Sequence, residues 1–205
     1  MWHDVRLERE FFARLLAIDA ARAEQTRVAG CGYCEGPLSV GHYERKPRGA
    51  RFASAGEEFT QRFSDCCSRE GCRRRATPPS VRFLGRKVYL ESAILVACAL
   101  VPLIDDRARV IRTATGVAAR TVRRWMTWWR TVFAASALWV ELRSRAPSLD
   151  IDLVPGGMLA VFEGGSVEAR LEAAMRFLSP LTTGPAWRSR SSRAAISRAE
   201  DGVTQ

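Results

Sequence analysis

The cysteines of this sequence have the residue type and the spacing that metal binding requires. Cys31 and Cys34 form a CxxC pair, and three more cysteines follow within the stretch RFSDCCSREGCRRR. Structural zinc takes four soft ligands in a tetrahedron, commonly supplied as two pairs by two tight turns. The spacing therefore predicts a Zn²⁺ site in a zinc ribbon. Its predicted ligands are Cys31, Cys34, Cys67 and Cys72, with Cys66 as the alternative to Cys67.

Other roles remain open for these residues. The CxxC pair could be a thioredoxin-like redox centre, although no β-α-β pattern surrounds it, and the cysteines could also be unliganded thiols. His42 could replace one cysteine ligand, but a histidine satisfied on a strand is the simpler interpretation. Cys98 lies in the apolar run SAILVACALVPLI and is expected in the core. Metal binding is favoured over disulfides because the N-terminal stretch shows no secretory signal, so we expect a reducing cytoplasm.

The charge balance indicates an anionic partner. The chain has 32 Lys and Arg residues against 22 Asp and Glu, for a net charge of +10, and all but Lys46 and Lys87 of the basic residues are arginines. Arginine suits phosphates and guanine edges, so the charge indicates nucleic acid first and an anionic membrane surface second, with an arginine-rich proteome as the alternative explanation of the excess. No membrane-spanning helix is expected, because the longest apolar run is shorter than the roughly 18–20 residues that cross a bilayer, and the predicted partner is nucleic acid and no membrane.

The segment DRARVIRTATGVAARTVRRWMTWW (106–129) has the pattern of a helix-turn-helix, with a glycine in the turn. Val110 and Ile111 would pack against Val117, Val122 and Trp125. Residues near the start of the second helix would then enter the major groove, where an arginine can bond guanine. The residues predicted there are Ala119, Arg120, Thr121, Arg123 and Arg124. Phosphate contacts are expected from Arg109, Arg112 and Arg130, and from a basic rim formed by Arg73, Arg74 and Arg75. The alternative is an amphipathic helix pair with a basic solvent face.

The predicted fold class is mainly α with a small β zinc ribbon and a helix-turn-helix helical domain. Helices are expected over 5–29, 86–101, 105–114, 118–145 and 166–178, and strands over 38–45 and 57–64. The predicted organisation is an N-terminal amphipathic helix (1–29), a zinc-ribbon-like module (30–80), the helix-turn-helix domain (85–145), a C-terminal helical extension (146–183) and a disordered Ser/Arg-rich tail (184–205).

The order CxxC, RFSDCCSREGCRRR and GVAARTVRRW resembles that of zinc-ribbon plus helix-turn-helix proteins of bacterial insertion sequences, over roughly residues 30–145. Some of these are DNA-binding regions of transposases, and others are small proteins without a catalytic domain that bind the ends of the element. The resemblance implies zinc ligation by the four cysteines named above and DNA contact by Arg120 to Arg124. Two features depart from it. The second cysteine group has a CCx4C spacing instead of CxxC, and Ala118 stands where a Ser or Thr cap is commoner.

No catalytic constellation is found. Asp105 and Glu141 have the separation of two members of a carboxylate triad, but no predicted strands would bring them together. The sequence thus predicts a non-catalytic, zinc-stabilised protein that binds double-stranded DNA, associated with a mobile element and located at the nucleoid in the cytoplasm. Its protein partner would be a transposase or a second copy of itself. The alternatives are a truncated transposase or interaction module whose Trp-rich helix docks a partner, and an RNA-binding protein.

Overall fold

The computed structural model describes residues 8–45, 57–84, 95 and 117–183, which are mainly helical with a small antiparallel sheet. The predicted helices 86–101 and 105–114 and the tail 184–205 lie outside the described residues, apart from Leu95, which is helical. Cys98, Val110, Ile111, Arg109 and Arg112 also lie outside them.

Helix α1 (Arg9–Ala29) confirms the predicted N-terminal helix from Arg9 onward. Its buried face carries Phe11, Phe12 and Leu15 and continues at four-residue intervals through Asp19 and Ala23. The helix ends at Gly30, whose φ of 77° lies in the left-handed region that glycine adopts without steric cost. Since Cys31 follows directly, the anchored helix positions the first cysteine pair.

Among the described residues, five short strands form two antiparallel sheets. They are β1 (Leu38–Val40), β2 (Tyr43–Glu44), β3 (Gln61–Arg62), β4 (Asp65–Cys67) and β5 (Arg75–Ala76). The larger sheet has the order β1-β4-β5, with Leu38 opposite Cys67 and Cys66 opposite Arg75. The smaller sheet pairs β2 with β3, with Tyr43 opposite Arg62.

The two predicted strands are therefore each interrupted, which corrects the sequence prediction. Beyond β1, the Gly41 N–H still donates to the Ser64 carbonyl in the register of the ladder. The ladder stops there because the Ser64 N–H donates to His42 Nδ1 instead of to the Gly41 carbonyl, which accepts from Arg75 Nη1. In the second predicted strand, Glu57–Thr60 forms a 3₁₀ turn, so only Gln61 and Arg62 of this segment belong to a strand. Strands β4 and β5 were not predicted.

The described residues 117–183 contain four α-helices. They are α2 (Ala119–Trp128), α3 (Ala137–Arg145), α4 (Gly156–Val161) and α5 (Val167–Leu178), with a π-helical turn over Trp129–Phe133. The predicted helix 166–178 is confirmed by α5, whose N-cap Ser166 accepts a hydrogen bond from the backbone of Ala169. Helix α4 was not predicted.

The single helix predicted over 118–145 is wrong, because the chain breaks at Ser136. The Ser136 hydroxyl donates to the carbonyl oxygen of Phe133 at 2.6 Å and accepts from the Trp139 N–H at 3.2 Å. It thus ends one helical segment and caps the next. Because of this break, Trp129, Phe133 and Trp139 all lie in the same core, where Phe133 packs edge to face on each tryptophan ring.

One hydrophobic core joins α1 to the C-terminal helices. Phe12 of α1 packs on Phe59 with ring centroids 5.2 Å apart, and the same core contains Trp129 of the π-helical turn and Leu171 of α5. The cysteines lie in a separate small cluster with Leu38 and Ala76. The metal-ligand candidates are therefore packed apart from the main core, at the end of α1.

A buried ion pair fixes the cysteine-bearing segment against α1. Arg82 Nε donates to Asp19 Oδ2 at 2.8 Å, and both side chains are almost fully buried. The same guanidinium donates to the carbonyl oxygens of Phe59 and Gln61, at 2.7 and 2.8 Å. The Asp19 carboxylate also accepts from the Ser80 hydroxyl and the Val81 N–H. The guanidinium and the carboxylate are thus both hydrogen-bonded, which is the condition under which a buried ion pair is tolerated.

Candidate metal centre

Four cysteine sulfurs meet at one point of the structure. The Sγ atoms of Cys31, Cys34, Cys67 and Cys72 all lie within 4.8 Å of one another. Cys31 Sγ lies 3.7 Å from Cys72 Sγ, and Cys34 Sγ lies 3.5 Å from Cys67 Sγ. Four thiolates at the Zn–S distance around a tetrahedral zinc would be about 3.8 Å apart, so the spacing of these sulfurs fits such a site.

The first knuckle is the turn over residues 30–36. The Cys31 N–H donates to the Gly36 carbonyl at 2.9 Å, and the Glu35 N–H donates to the Cys31 carbonyl at 2.8 Å. Glu35, directly after the second cysteine, has a φ of 58°, which is uncommon for a residue with a side chain. The backbone thus wraps closely around the two sulfurs.

The second knuckle, residues 67–74, repeats this turn with one ligand moved. The N–H groups of Cys72 and Arg73 both point to the Arg69 carbonyl, at 3.2 and 3.5 Å. Arg73 directly follows the cysteine and has a φ of 46°, as Glu35 does in the first knuckle. Arg69 therefore occupies the place of the first cysteine of a CxxC turn. Cys67, two residues earlier on β4, supplies the sulfur instead, which explains the departure from CxxC spacing.

The structure separates Cys66 from Cys67. Side chains of consecutive strand residues point to opposite faces of a sheet, so only one of the two can face the cluster. Cys67 is fully buried and belongs to the group of four. Cys66 faces Gly41, where an added Cβ would lie 3.3 Å from the Cys66 sulfur. His42 also stays outside the group, with its Nδ1 2.9 Å from the Ser64 carbonyl oxygen.

Close contacts clamp the two knuckles together. Arg69 Nη1 donates to the Cys34 carbonyl at 2.7 Å, and the Ser68 N–H donates to the Pro37 carbonyl at 2.9 Å. Gly36 lies between the two knuckles, where an added Cβ would come within 3.3 Å of the sulfurs of both Cys34 and Cys67. The position accepts no side chain without displacing a sulfur. The sequence predicted a tight turn at Glu35-Gly36 after the CxxC pair, as a glycine at a close backbone approach indicates, but it gave no signal for Arg69.

The thiols of the cluster differ in acidity. Backbone N–H groups of Tyr33 and Cys34 lower the pKa of the Cys31 thiol to about 7. Burial raises the pKa of the Cys67 thiol to about 12. Because a thiol must lose its proton to bind a metal, and four thiolates this close repel one another, the deprotonated cluster needs a cation at its centre.

The predicted recognition helix exists as α2, and its basic residues face solvent. Arg120, Arg123 and Arg124 are exposed, whereas Val122 and Trp125 are buried with Val117. Within the part of the chain that the structure describes, none of the three arginines forms an ion pair. Ala119 and Thr121 are half-buried. The first helix of the predicted helix-turn-helix falls outside the described residues.

Other predicted phosphate ligands have different surroundings. Arg130 Nε lies 2.8 Å from Asp152 Oδ1, in an exposed ion pair. Arg73, Arg74 and Arg75 are all exposed at the second knuckle. Arg75 turns back to the sheet, where it donates to the Gly41 carbonyl at 2.8 Å and to the Ser64 hydroxyl at 3.0 Å. The basic rim available to a ligand is therefore Arg73 and Arg74.

Of the carboxylates considered for catalysis, Glu141 lies on the exposed side of α3 in an ion pair with Arg145, and Asp105 lies outside the described residues. Among the described helices, none combines the length and apolarity needed to cross a bilayer.

Comparison with protein-family models gives no match, and neither curated proteins nor solved structures give a significant one.

Proposed function

We propose that this chain is a non-catalytic protein that binds double-stranded DNA and is stabilised by one structural zinc ion. The observation that carries the proposal is the pairing of a four-thiol cluster with a helix whose exposed arginines lack acidic partners among the described residues.

Zinc is the metal that best suits the donor set. Thiolate sulfur favours zinc, Cu(I) and iron–sulfur clusters over the hard cations Mg²⁺ and Ca²⁺, which prefer oxygen. A single tetrahedral ion fits sulfur separations of 3.5 and 3.7 Å. Cys31, Cys34, Cys67 and Cys72 would fill all four coordination positions, which leaves none for a substrate. The site is therefore structural and not catalytic.

Double-stranded DNA is the partner that fits helix α2. The helix has 10 residues and is thus roughly 15 Å long, a size that the major groove of B-DNA admits. Arg120, Arg123 and Arg124 lie in its first two turns, from which recognition helices contact base edges. Arg73 and Arg74 would add phosphate contacts, and the net charge of +10 favours association with a polyanion.

The alternative of a docking module built on the Trp-rich helix has less support. Trp125, Trp129 and Trp139 are 5%, 0% and 9% exposed, so these rings pack inside the protein rather than against a partner. We further propose that the protein acts at the nucleoid with a transposase or with a second copy of itself. This part rests on the resemblance of its motif order to insertion-sequence proteins alone.

The recognition helix is tested by selecting duplexes from a random pool with the full chain and with Arg120→Ala/Arg124→Ala. Each bidentate arginine–guanine contact contributes about 1–3 kcal/mol of discrimination, so the double variant should lose the sequence preference of the parent. Arg143→Ala/Arg145→Ala is the matched control, since it removes the same charge from the exposed side of α3. The assignment is wrong if the Arg120/Arg124 variant selects the same sites as tightly as the parent.

A further inference from the structure

We propose that the tip of the first knuckle binds an unpaired DNA base, which stacks on Tyr33 while Arg74 contacts the adjoining phosphate. This site deepens the proposed DNA-binding function and rests on it. It would let the protein recognise a duplex that is flanked by single-stranded DNA or locally opened.

Tyr33 is highly exposed to solvent. It is 71% exposed, whereas Trp125 of α2 and Trp139 of α3 are at most 9% exposed. It stands between Cys31 and Cys34, where its backbone N–H is turned toward the Cys31 sulfur. The knuckle thus presents an aromatic ring to solvent at the edge of the metal centre.

Tyr33 is in contact with Arg74. The guanidinium carbon of Arg74 lies 3.9 Å from the centroid of the Tyr33 ring, the shortest such distance among the described cation–π contacts. Stacking occupies the face of the guanidinium and leaves its N–H donors at the edge free for phosphate oxygens. Because Tyr33 is 71% exposed while Arg74 covers one face of its ring, the opposite face is available to a base.

The cysteine cluster holds both residues in place. Tyr33 lies inside the first cysteine pair, and Arg74 comes two residues after Cys72. The Arg74 carbonyl accepts a hydrogen bond from the Cys67 N–H at 2.8 Å. The ring and the guanidinium are therefore set in place by the same turns that bring the four sulfurs together, and ordering them on binding costs little.

The ligand must be an unpaired base. Inside a duplex both faces of each base are already covered by neighbouring base pairs, so away from the duplex ends Tyr33 can stack only on a base that is outside the stack. Stacking on an aromatic side chain changes affinity by about 5- to 150-fold per base and tolerates any sequence. DNA is the favoured source because the duplex-binding helix α2 belongs to the same chain.

The test compares the affinity of the full chain for a blunt duplex and for the same duplex with a short 3′ single-stranded overhang, by fluorescence anisotropy. Tyr33→Ala should weaken binding of the overhang duplex by about 5- to 150-fold and leave the blunt duplex unchanged. Tyr33→Phe keeps the ring and should match the parent. Tyr43→Ala is the matched control. Tyr43 is exposed and faces an arginine, Arg75, but at 5.6 Å and with that arginine bonded to the sheet.

The metal content of each variant shows that the knuckle is intact. The proposal is overturned if Tyr33→Ala, with its metal content unchanged, binds the overhang duplex as tightly as the parent. It is also overturned if the variant loses the blunt duplex equally, or if a single-stranded RNA overhang shows the larger dependence on Tyr33. Failure of the recognition helix is separate, because it appears as unchanged site selection by the Arg120/Arg124 variant.

Discussion

A methyl group added at Gly36 should disturb the proposed metal site directly. The Cβ of an alanine at this position would lie 3.3 Å from Cys34 Sγ, 3.3 Å from Cys67 Sγ and 3.1 Å from Arg69 Cβ. All three distances are shorter than an ordinary van der Waals contact, so at least one sulfur must move by a few tenths of an ångström. Metal sites tolerate deviations of about 0.2 Å in their ligand distances.

The size of the effect follows from the cost of overpacking. Inserting a methyl group into a packed site costs about 1–3 kcal/mol, which corresponds to about a 5- to 150-fold loss of zinc affinity if the crowding acts on the metal-bound state. Gly32 is the matched control within the same knuckle. It is exposed, and a Cβ added there would meet nothing within 4 Å. Gly32→Ala should therefore be neutral, or slightly stabilising through the unfolded chain.

The assay is competition for zinc between the protein and a chromophoric chelator, with circular dichroism as the check on folding. Gly36→Ala should release zinc to the chelator at a lower chelator concentration than Gly32→Ala does. Equal zinc affinity in the two variants would refute the packing argument, because only one of them places a methyl group against the sulfurs.

Three further predictions follow from other parts of the molecule. Asp19→Ala leaves Arg82 buried without its carboxylate and should lower the free energy of unfolding in urea by about 3–5 kcal/mol. Glu141→Ala removes one partner of an exposed pair and should change this free energy by at most about 1 kcal/mol. Similar losses in both variants would contradict a larger contribution from the buried pair. Ser136→Ala removes the cap of α3 and should cost about 1–2 kcal/mol in the same assay, and an unchanged unfolding midpoint would mean that the hydroxyl contributes nothing. The logarithm of duplex affinity should fall linearly with the logarithm of salt concentration, with a slope of about 0.9 per phosphate contacted, and salt-independent binding would exclude the phosphate contacts.

The cysteine cluster was predictable from spacing alone, but the choice between two adjacent cysteines was not. Which of Cys66 and Cys67 faces inward depends on the pairing of β4 with β1 and β5. Strand β4 has only three residues and reads Asp-Cys-Cys, so it shows no alternation of apolar and polar side chains that a pattern could detect. The register had to come from the structure.

The helix break at Ser136 was hidden for a different reason. Apolar residues continue at helical spacing on both sides of it, and a serine is compatible with either a helix interior or a cap. The burial of Asp19 could have been predicted from helical periodicity, because Asp19 lies on the apolar face of α1, four residues after Leu15. A buried carboxylate requires a partner, but nothing in the pattern indicates that the partner is Arg82.

The metal content of the chain purified without chelator tests the central claim most directly. The parent and Cys66→Ser should each contain about one zinc per chain, and Cys67→Ser should contain none and lose its folded structure. A parent protein that is folded, retains its four thiols and contains no metal would contradict the account.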